Sequence, residues 1–340
     1  MFRAQTLLIH SRLSDVAHAL VRAVSRLIST PSSAGSTVSQ PSVGRSADAA
    51  RPSACATTCG LLIVLLSAAC SAADFSGAAA FDFAKAAVAF GPRPAGSDAN
   101  HKLQAYILQK VKVPGAQIAE DAFIAKTPRG DVAMKNIIVK FPGKSGRAIA
   151  ITGHYDTKFF ANRNFVGAND GASSTAVLLE LAQALAGQPR TDDVYLIFFD
   201  GEEAFGQWTA ADSVYGSRHL ADTWRKDGSW VRFKALINVD MIGDKNLNIL
   251  QDVNSDVSLR RLVWSAAASL GYQKYFTSQS EPMDDDHMPF VRLGVPSLDV
   301  IDFDYPPWHE DSDTLDKIGA ASLEIVGKTM LESIKRLERQ

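Results

Sequence analysis

Thiols are scarce in this sequence and confined to its first part. The three cysteines are Cys55, Cys59 and Cys70, so residues 74–340 offer neither a disulfide nor a thiolate metal ligand. An excess of positive charge is missing too. Against 37 Asp and Glu stand 35 Lys and Arg, a formal net charge of -2, which excludes the electrostatic footprint of a nucleic-acid binder or of a protein held to anionic lipid. The apolar run 60–66 falls far short of the roughly 20 residues that cross a bilayer. Internal repeats and long linkers are lacking as well. What is present, 46% hydrophobic and 21% charged residues in a chain of 340, is the composition of a globular fold with its own core.

Composition shifts along the chain. Residues 1–73 hold six arginines (Arg3, Arg12, Arg22, Arg26, Arg45, Arg51), two acids (Asp15, Asp48) and no lysine, with a Ser/Ala/Pro-rich stretch over 29–54. The apolar run 60–66 then leads into the small residues of 67–73, which reads as an export signal, so the chain is expected to be periplasmic or extracellular. Cleavage after Ala73 is one reading. Lipidation at Cys70 is the other, weakened by Ser67 where a lipoprotein signal usually has Leu, and it would be the one route to a membrane. The length ahead of Arg51 points to a start assigned too far upstream, with an organelle transit segment as the alternative. Residues 74–340 are expected to form a single catalytic domain, monomeric, with 29 basic and 35 acidic residues.

Within that part, helix-period stretches lie over 75–90, 98–111, 172–186, 215–225, 255–270 and 316–337, with Ser97-Asp98 as a cap and 91–94 (Gly-Pro-Arg-Pro) as a stop. Strand-like runs lie over 136–141, 148–152, 194–199, 235–239, 247–250 and 297–301. Several are apolar throughout instead of alternating, as strands buried on both faces are. The expected fold is α/β, a three-layer α/β/α sandwich around a mixed, mostly parallel sheet. The first two strands are expected to pair as an antiparallel hairpin across 143–146. Ligands of such folds sit at the carboxyl ends of the strands.

Those strand ends carry one kind of chemistry. After 148–152 comes Gly153-His154-Tyr155-Asp156, after 194–199 comes Asp200-Gly201-Glu202-Glu203, 235–239 meets Asp240, and the loop after 297–301 carries Trp308-His309-Glu310-Asp311. Asp170 stands just ahead of the 172–186 helix. Carboxylates and imidazoles converging on one crevice repel and desolvate unless a cation neutralises them. Imidazole with carboxylate and no thiolate suits zinc, with manganese and cobalt as alternatives. Blander readings apply to other residues: His101 and His219 as surface or packing residues, His287 as site rim or packing, Asp193 and Asp200 as turn formers, Asp311 and Asp313 as loop or capping residues.

With these residues identified, the sequence from about Phe90 onwards resembles the zinc-dependent glutaminyl-peptide cyclotransferases (glutaminyl cyclases) of the animal and bacterial type, whose fold is that of the two-zinc aminopeptidases. His154-Tyr155-Asp156, Asp170, Glu202-Glu203, Asp240 and His309 are shared with both groups. The cyclase wording is in 198–205 (Phe-Phe-Asp-Gly-Glu-Glu-Ala-Phe), Trp208, 212–221, 285–290 (Asp-Asp-His-Met-Pro-Phe), 294–296 and Trp308-His309. Residues 167–174 are closer to the aminopeptidase wording, and the disulfide of secreted animal cyclases has no counterpart here.

The resemblance implies conversion of an N-terminal glutamine of a peptide or protein to pyroglutamate with loss of ammonia. It implies one zinc held by Asp170, Glu203 and His309. Glu202 would carry the proton from α-amine to leaving ammonia, Asp240 and Asp286 would accept hydrogen bonds around the reacting centre, and Trp208, Trp308 and Phe303 or Tyr305 would wall the pocket. The runner-up is a two-zinc aminopeptidase, with His154 and Asp240 as ligands of the second metal and Asp170 bridging. A third reading is an inactive binding domain of the same fold, disfavoured because every ligand and base position is occupied.

Overall fold

The computed structural model describes residues 74–340; the expected leader and the three cysteines lie outside them. In chain order the elements are α1 (Gly77–Val88), α2 (Asp98–Lys110), β1 (Gln117–Thr127), β2 (Gly130–Phe141), β3 (Ala148–His154), α3 (Ala172–Leu185), β4 (Asp193–Phe199), α4 (Tyr215–Asp227), β5 (Phe233–Asp240), β6 (Ile249–Asp252), α5 (Val257–Ser269), β7 (Phe276–Glu281), α6 (Met288–Leu293), β8 (Ser297–Ile301) and α7 (Ala320–Glu338). Ser97 caps α2 as its sequence suggests, its side chain accepting the Asn100 amide N–H.

The strands that are apolar throughout become the centre of the sheet. Its order is β1-β2-β4-β3-β5-β8, with β4, β3, β5 and β8 parallel and β1 and β2 antiparallel on one edge. Alternate residues face opposite layers. Ile149, Ile151, Leu196, Phe198, Ile237 and Val239 pack into the larger core with residues of α1, α2, α3 and α7. Ala148, Ala150, Ile197, Phe199 and Leu236 pack with Leu220 and Trp224 of α4 and Phe290 of α6. The architecture is thus the three-layer α/β/α sandwich with a mixed sheet.

The expected hairpin between β2 and β3 does not form, because β4 lies between them. The linking segment wraps over the start of β4: the amides of Lys144 and Ser145 donate to Thr191 O, and that of Gly143 to Asp193 Oδ1. Gly143 permits this approach, since a Cβ there would collide with the Asp192 carbonyl. The partner of β2 is instead β1, which is not among the expected strands although the Pro128-Arg129-Gly130 turn closes the pair. The 247–250 run becomes β6, paired with β7 in a separate two-stranded sheet.

Asp302, directly after β8, is fully buried, and its Oδ2 accepts the Asn248 amide N–H at 2.8 Å. Burial pushes its carboxyl up to about 7, the Asn248 N–H working against that shift and Asp244 and Asp304 adding to it. An unfolded Asp titrates near about 4, so between about pH 4 and 7 the folded chain holds a proton that the unfolded chain has released. Stability from this residue falls as pH rises through that window and stays lowered above it. Asp302→Asn is expected to match the parent near about pH 3 and exceed it by on the order of 4 kcal/mol at pH 8 in denaturant unfolding. A difference independent of pH would contradict the assignment.

Candidate active site

The parallel strands deliver their last residues to one edge of the sheet. His154 ends β3, Glu202 and Glu203 follow β4, Asp240 ends β5, and the loop after β8 returns His309; Asp170 arrives from the turn ahead of α3. Two ligand-like groups result, His154 with Asp170 and Asp240, and Asp170 with Glu203 and His309, the atoms of each lying within 4.8 Å of one another. Asp170 belongs to both. Its Oδ1 is 3.2 Å from His154 Nε2 and its Oδ2 is 3.4 Å from His309 Nε2. His154 Nε2 is 3.1 Å from Asp240 Oδ1, and His309 Nε2 is 3.0 Å from Glu203 Oε1.

Nearly all of these groups are buried. Asp170 Oδ2 accepts no hydrogen bond, an orphaned carboxylate oxygen among other acids and aimed at an imidazole. Such an atom is costly unless a cation completes it, and the Asp, Glu and His donors fit a divalent ion of the zinc type. Burial by itself would lower the His154 pKa; Asp240, Asp156 and Asp170 around it override that and raise it well above its ordinary value.

The groups are held from behind. Asp156 accepts the amide N–H of Glu202 at 3.1 Å and of Glu203 at 3.3 Å, fixing the turn in which the two carboxylates diverge. Asp313 accepts the amides of Asn169 at 2.8 Å and Asp170 at 3.1 Å, and the Tyr305 hydroxyl at 2.7 Å. Burial, then Asp170, pushes the Asp313 carboxyl up to about 6. Gly171 has φ 89°, and a Cβ on it would strike Asp156 O and come within 3.2 Å of the His154 ring, so glycine is required there.

Arg93, read in the sequence only as part of a helix stop, is fully buried. Its guanidinium donates to Tyr155 O at 3.0 Å, Gly167 O at 2.9 Å and Val166 O. Burial brings its pKa down to about 10 against the opposing pull of Asp313, Asp170 and Asp156. Lys158 is a second charged residue without a signal in the sequence. Its ammonium lies 3.4 Å from Glu203 Oε2 and donates to Ala204 O at 3.2 Å.

Above the carboxylates lies a cavity of about 440 Å³. Glu202, Glu203, Asp170 and Asp240 form its polar end, and Trp208, Phe303 and Trp308, each about 40% exposed, stand at its mouth. Glu202 belongs to neither ligand group; its Oε2 is 3.9 Å from His154 Nδ1. Burial, with Glu203, Asp285 and Asp286 nearby and His154 opposing, pushes its carboxyl well above the usual range.

Other expected site residues sit elsewhere. Tyr305 is buried with its hydroxyl on Asp313, so Phe303 takes the wall position. Asp286 is fully buried and does not line the cavity; Asp285 does, its carboxyl pushed up to about 7 by burial and Asp240. His287 packs beneath, 3.0 Å from Asp252 Oδ2, and His219 stacks on Phe123. Asp200 is no surface turn former: it is buried and accepts from Lys135 N and Asn100 Nδ2.

Peptidase family M28 matches residues 136–334 of the chain. A glutaminyl-peptide cyclotransferase of Drosophila melanogaster is 31% identical over 258 residues, spanning 68% of this chain and 73% of the fly protein. Among solved structures, a glutaminyl cyclase from an Acidobacteriales bacterium superposes with a TM-score of 0.75 at 41% identity, covering 79% of this chain and 97% of that one. A leucine aminopeptidase precursor from Bacteroides thetaiotaomicron gives a TM-score of 0.70 at 28% identity, covering 77% and 98%.

Arg93→Met would fill much of the same volume and leave three carbonyls without their donor. The expected cost is about 3 kcal/mol or more of stability, since one side of a buried charged network is removed. Chemical denaturation against the parent measures it; a loss under 1 kcal/mol would show that the 166–167 turn holds itself.

Proposed function

The chain belongs to peptidase family M28 and, within it, to the glutaminyl-peptide cyclotransferases, and from that membership we infer that it converts N-terminal glutamine of peptides to pyroglutamate with release of ammonia. The observation that carries the chemistry is the divergence of the adjacent pair after β4. Glu203 turns to His309 and Asp170, while Glu202 stays out of both ligand groups and faces the cavity.

A zinc ion held by Asp170, Glu203 and His309 would supply Lewis-acid polarisation of the substrate's γ-carbonyl. The residues of the chain do the rest. Burial makes the Glu202 carboxylate hold a proton more tightly than an exposed one would, which suits a proton carrier, so Glu202 accepts a proton from the α-amine as that nitrogen bonds to the side-chain carbonyl carbon. It returns the proton to the amide nitrogen as the carbon–nitrogen bond breaks and ammonia leaves, with no water consumed. Asp240 accepts hydrogen bonds from the reacting nitrogens, and Asp285, which faces the cavity where Asp286 does not, takes the role expected of Asp286. Trp208, Phe303 and Trp308 hold the side chain and exclude water, and because the attack is intramolecular that orientation supplies much of the rate. Export, with residues 1–73 as leader, is part of this proposal.

One observation favours a second reading. The His154, Asp170 and Asp240 group is intact, as a two-metal aminopeptidase would need. In that reading Glu202 acts on water instead.

Glu202→Gln separates base from ligand. Its zinc content by elemental mass spectrometry should equal the parent's, while turnover of a Gln-initiated peptide falls by about 10² to 10⁴. Loss of zinc in Glu202→Gln would show that base and ligand are interchanged within the pair.

A further inference from the structure

The segment between β3 and Asp170 reaches every residue of the Asp170, Glu203 and His309 group. At its start Lys158 lies against Glu203; at its end the Val166 and Gly167 carbonyls are gripped by Arg93 just ahead of Asp170. Between them, Arg163 reaches across to His309. Its Nη1 donates to the His309 carbonyl oxygen at 3.0 Å, Nη2 binds Glu310 Oε2, and Nε is 3.7 Å from Asp311 Oδ1. The guanidinium also lies 4.9 Å from the centre of the Phe160 ring.

This contact falls on an unusual backbone. His309 has φ 55°, in the left-handed region that a residue with a Cβ enters at a cost of order 1 kcal/mol. Its carbonyl receives no backbone N–H among the described residues. The imidazole is boxed by rings, Trp308 stacked at 4.3 Å, Phe165 edge-on at 5.8 Å and Phe160 edge-on at 6.1 Å. The turn is closed by the Glu310 amide, which donates to Pro307 O at 3.0 Å across Trp308 and His309, and the planar Arg163 fork, binding the carbonyl and the next two side chains at once, is the side-chain tie on it.

We propose that Arg163 is a positioning residue that holds the His309 turn in its left-handed form and thereby sets the affinity of the Asp170, Glu203 and His309 group for zinc. Arg163 touches neither substrate cavity nor metal-binding atoms; it acts through the main chain of His309. The inference rests on the metal reading of the site and is indifferent to whether that site cyclises glutamine or hydrolyses peptides.

The test is zinc binding by the full folded chain in competition with a chromophoric chelator, for the parent, Arg163→Ala and Arg163→Lys. Thermal unfolding of the zinc-free forms is measured in parallel. Arg163→Ala is expected to bind zinc about 10 to 100 times more weakly, with zinc-free unfolding close to the parent's. Arg163→Lys keeps one donor for the carbonyl but loses the fork, and should fall between the two, weaker than the parent by about threefold or more. Should Arg163→Ala fail to fold, Arg163→Lys carries the test alone. Parent-like zinc affinity in Arg163→Lys overturns the proposal, as does an affinity loss matched by an equal loss of zinc-free stability. A parent that binds no zinc overturns the metal reading and this inference together; a parent that binds while both variants bind equally well overturns this inference only.

Discussion

Repulsion among buried carboxylates is the constraint on which the rest of this structure turns. Asp170, Glu202, Glu203, Asp240 and Asp285 share one crevice with two imidazoles, and the acids outnumber the bases. The fold does not relieve this by exposing them or by pairing each with a lysine or arginine. Asp170 offers one oxygen to each of two histidines, and a divalent cation held there would supply the missing positive charge. Glu202, left outside the ligand groups, bears the remaining cost by holding its proton more tightly, a property that suits the proton-carrying role proposed for it.

Rigid elements alone do not aim these groups. The strands bring His154 and Asp240 to the edge of the sheet, but Asp170, Glu203 and His309 stand on turns, and each turn is tied by a charged group behind it. Asp156 takes the amides of Glu202 and Glu203, Asp313 takes those of Asn169 and Asp170, Arg93 grips the approach to Asp170, and Arg163 the His309 carbonyl. Backbone positions that resist relaxation, Gly171 at φ 89° and His309 at φ 55°, lie where these ties act. The site is built in two tiers, one that meets the ligand and one that holds the first in place.

The first tier was legible in the sequence because it follows a rule of chain geometry. Residues directly after apolar strands must lie at one edge of a parallel sheet, which groups His154, Glu202, Glu203 and Asp240 from the chain alone and brings in His309 through the loop beyond β8. The second tier was not, because a charged residue that donates to carbonyls has no periodicity or spacing of its own. Arg93 read only as part of a Gly-Pro-Arg-Pro stop, Asp313 as a loop residue, and Arg163 carried no signal. The helices and central strands were found from runs that burial on both faces imposes; the β2–β3 pairing failed because a short loop does not reveal that another strand will enter between its ends. Asp285 and Asp286 show the limit at single-residue scale, since adjacent identical side chains differ only in which way the backbone turns them.

Membership of the cyclotransferases and an intact second ligand group pull the chemistry in two directions, and the aromatic mouth formed by Trp208, Phe303 and Trp308 favours capture of one side chain over passage of a peptide bond. The most direct measurement is mass spectrometry of the protein incubated in one tube with a Gln-initiated and a Leu-initiated peptide, with and without a chelator. The account predicts that the Gln peptide alone changes, losing one ammonia at unchanged length, and that chelation stops it. Removal of residues from the Leu peptide, with the Gln peptide's terminus uncyclised, would contradict it.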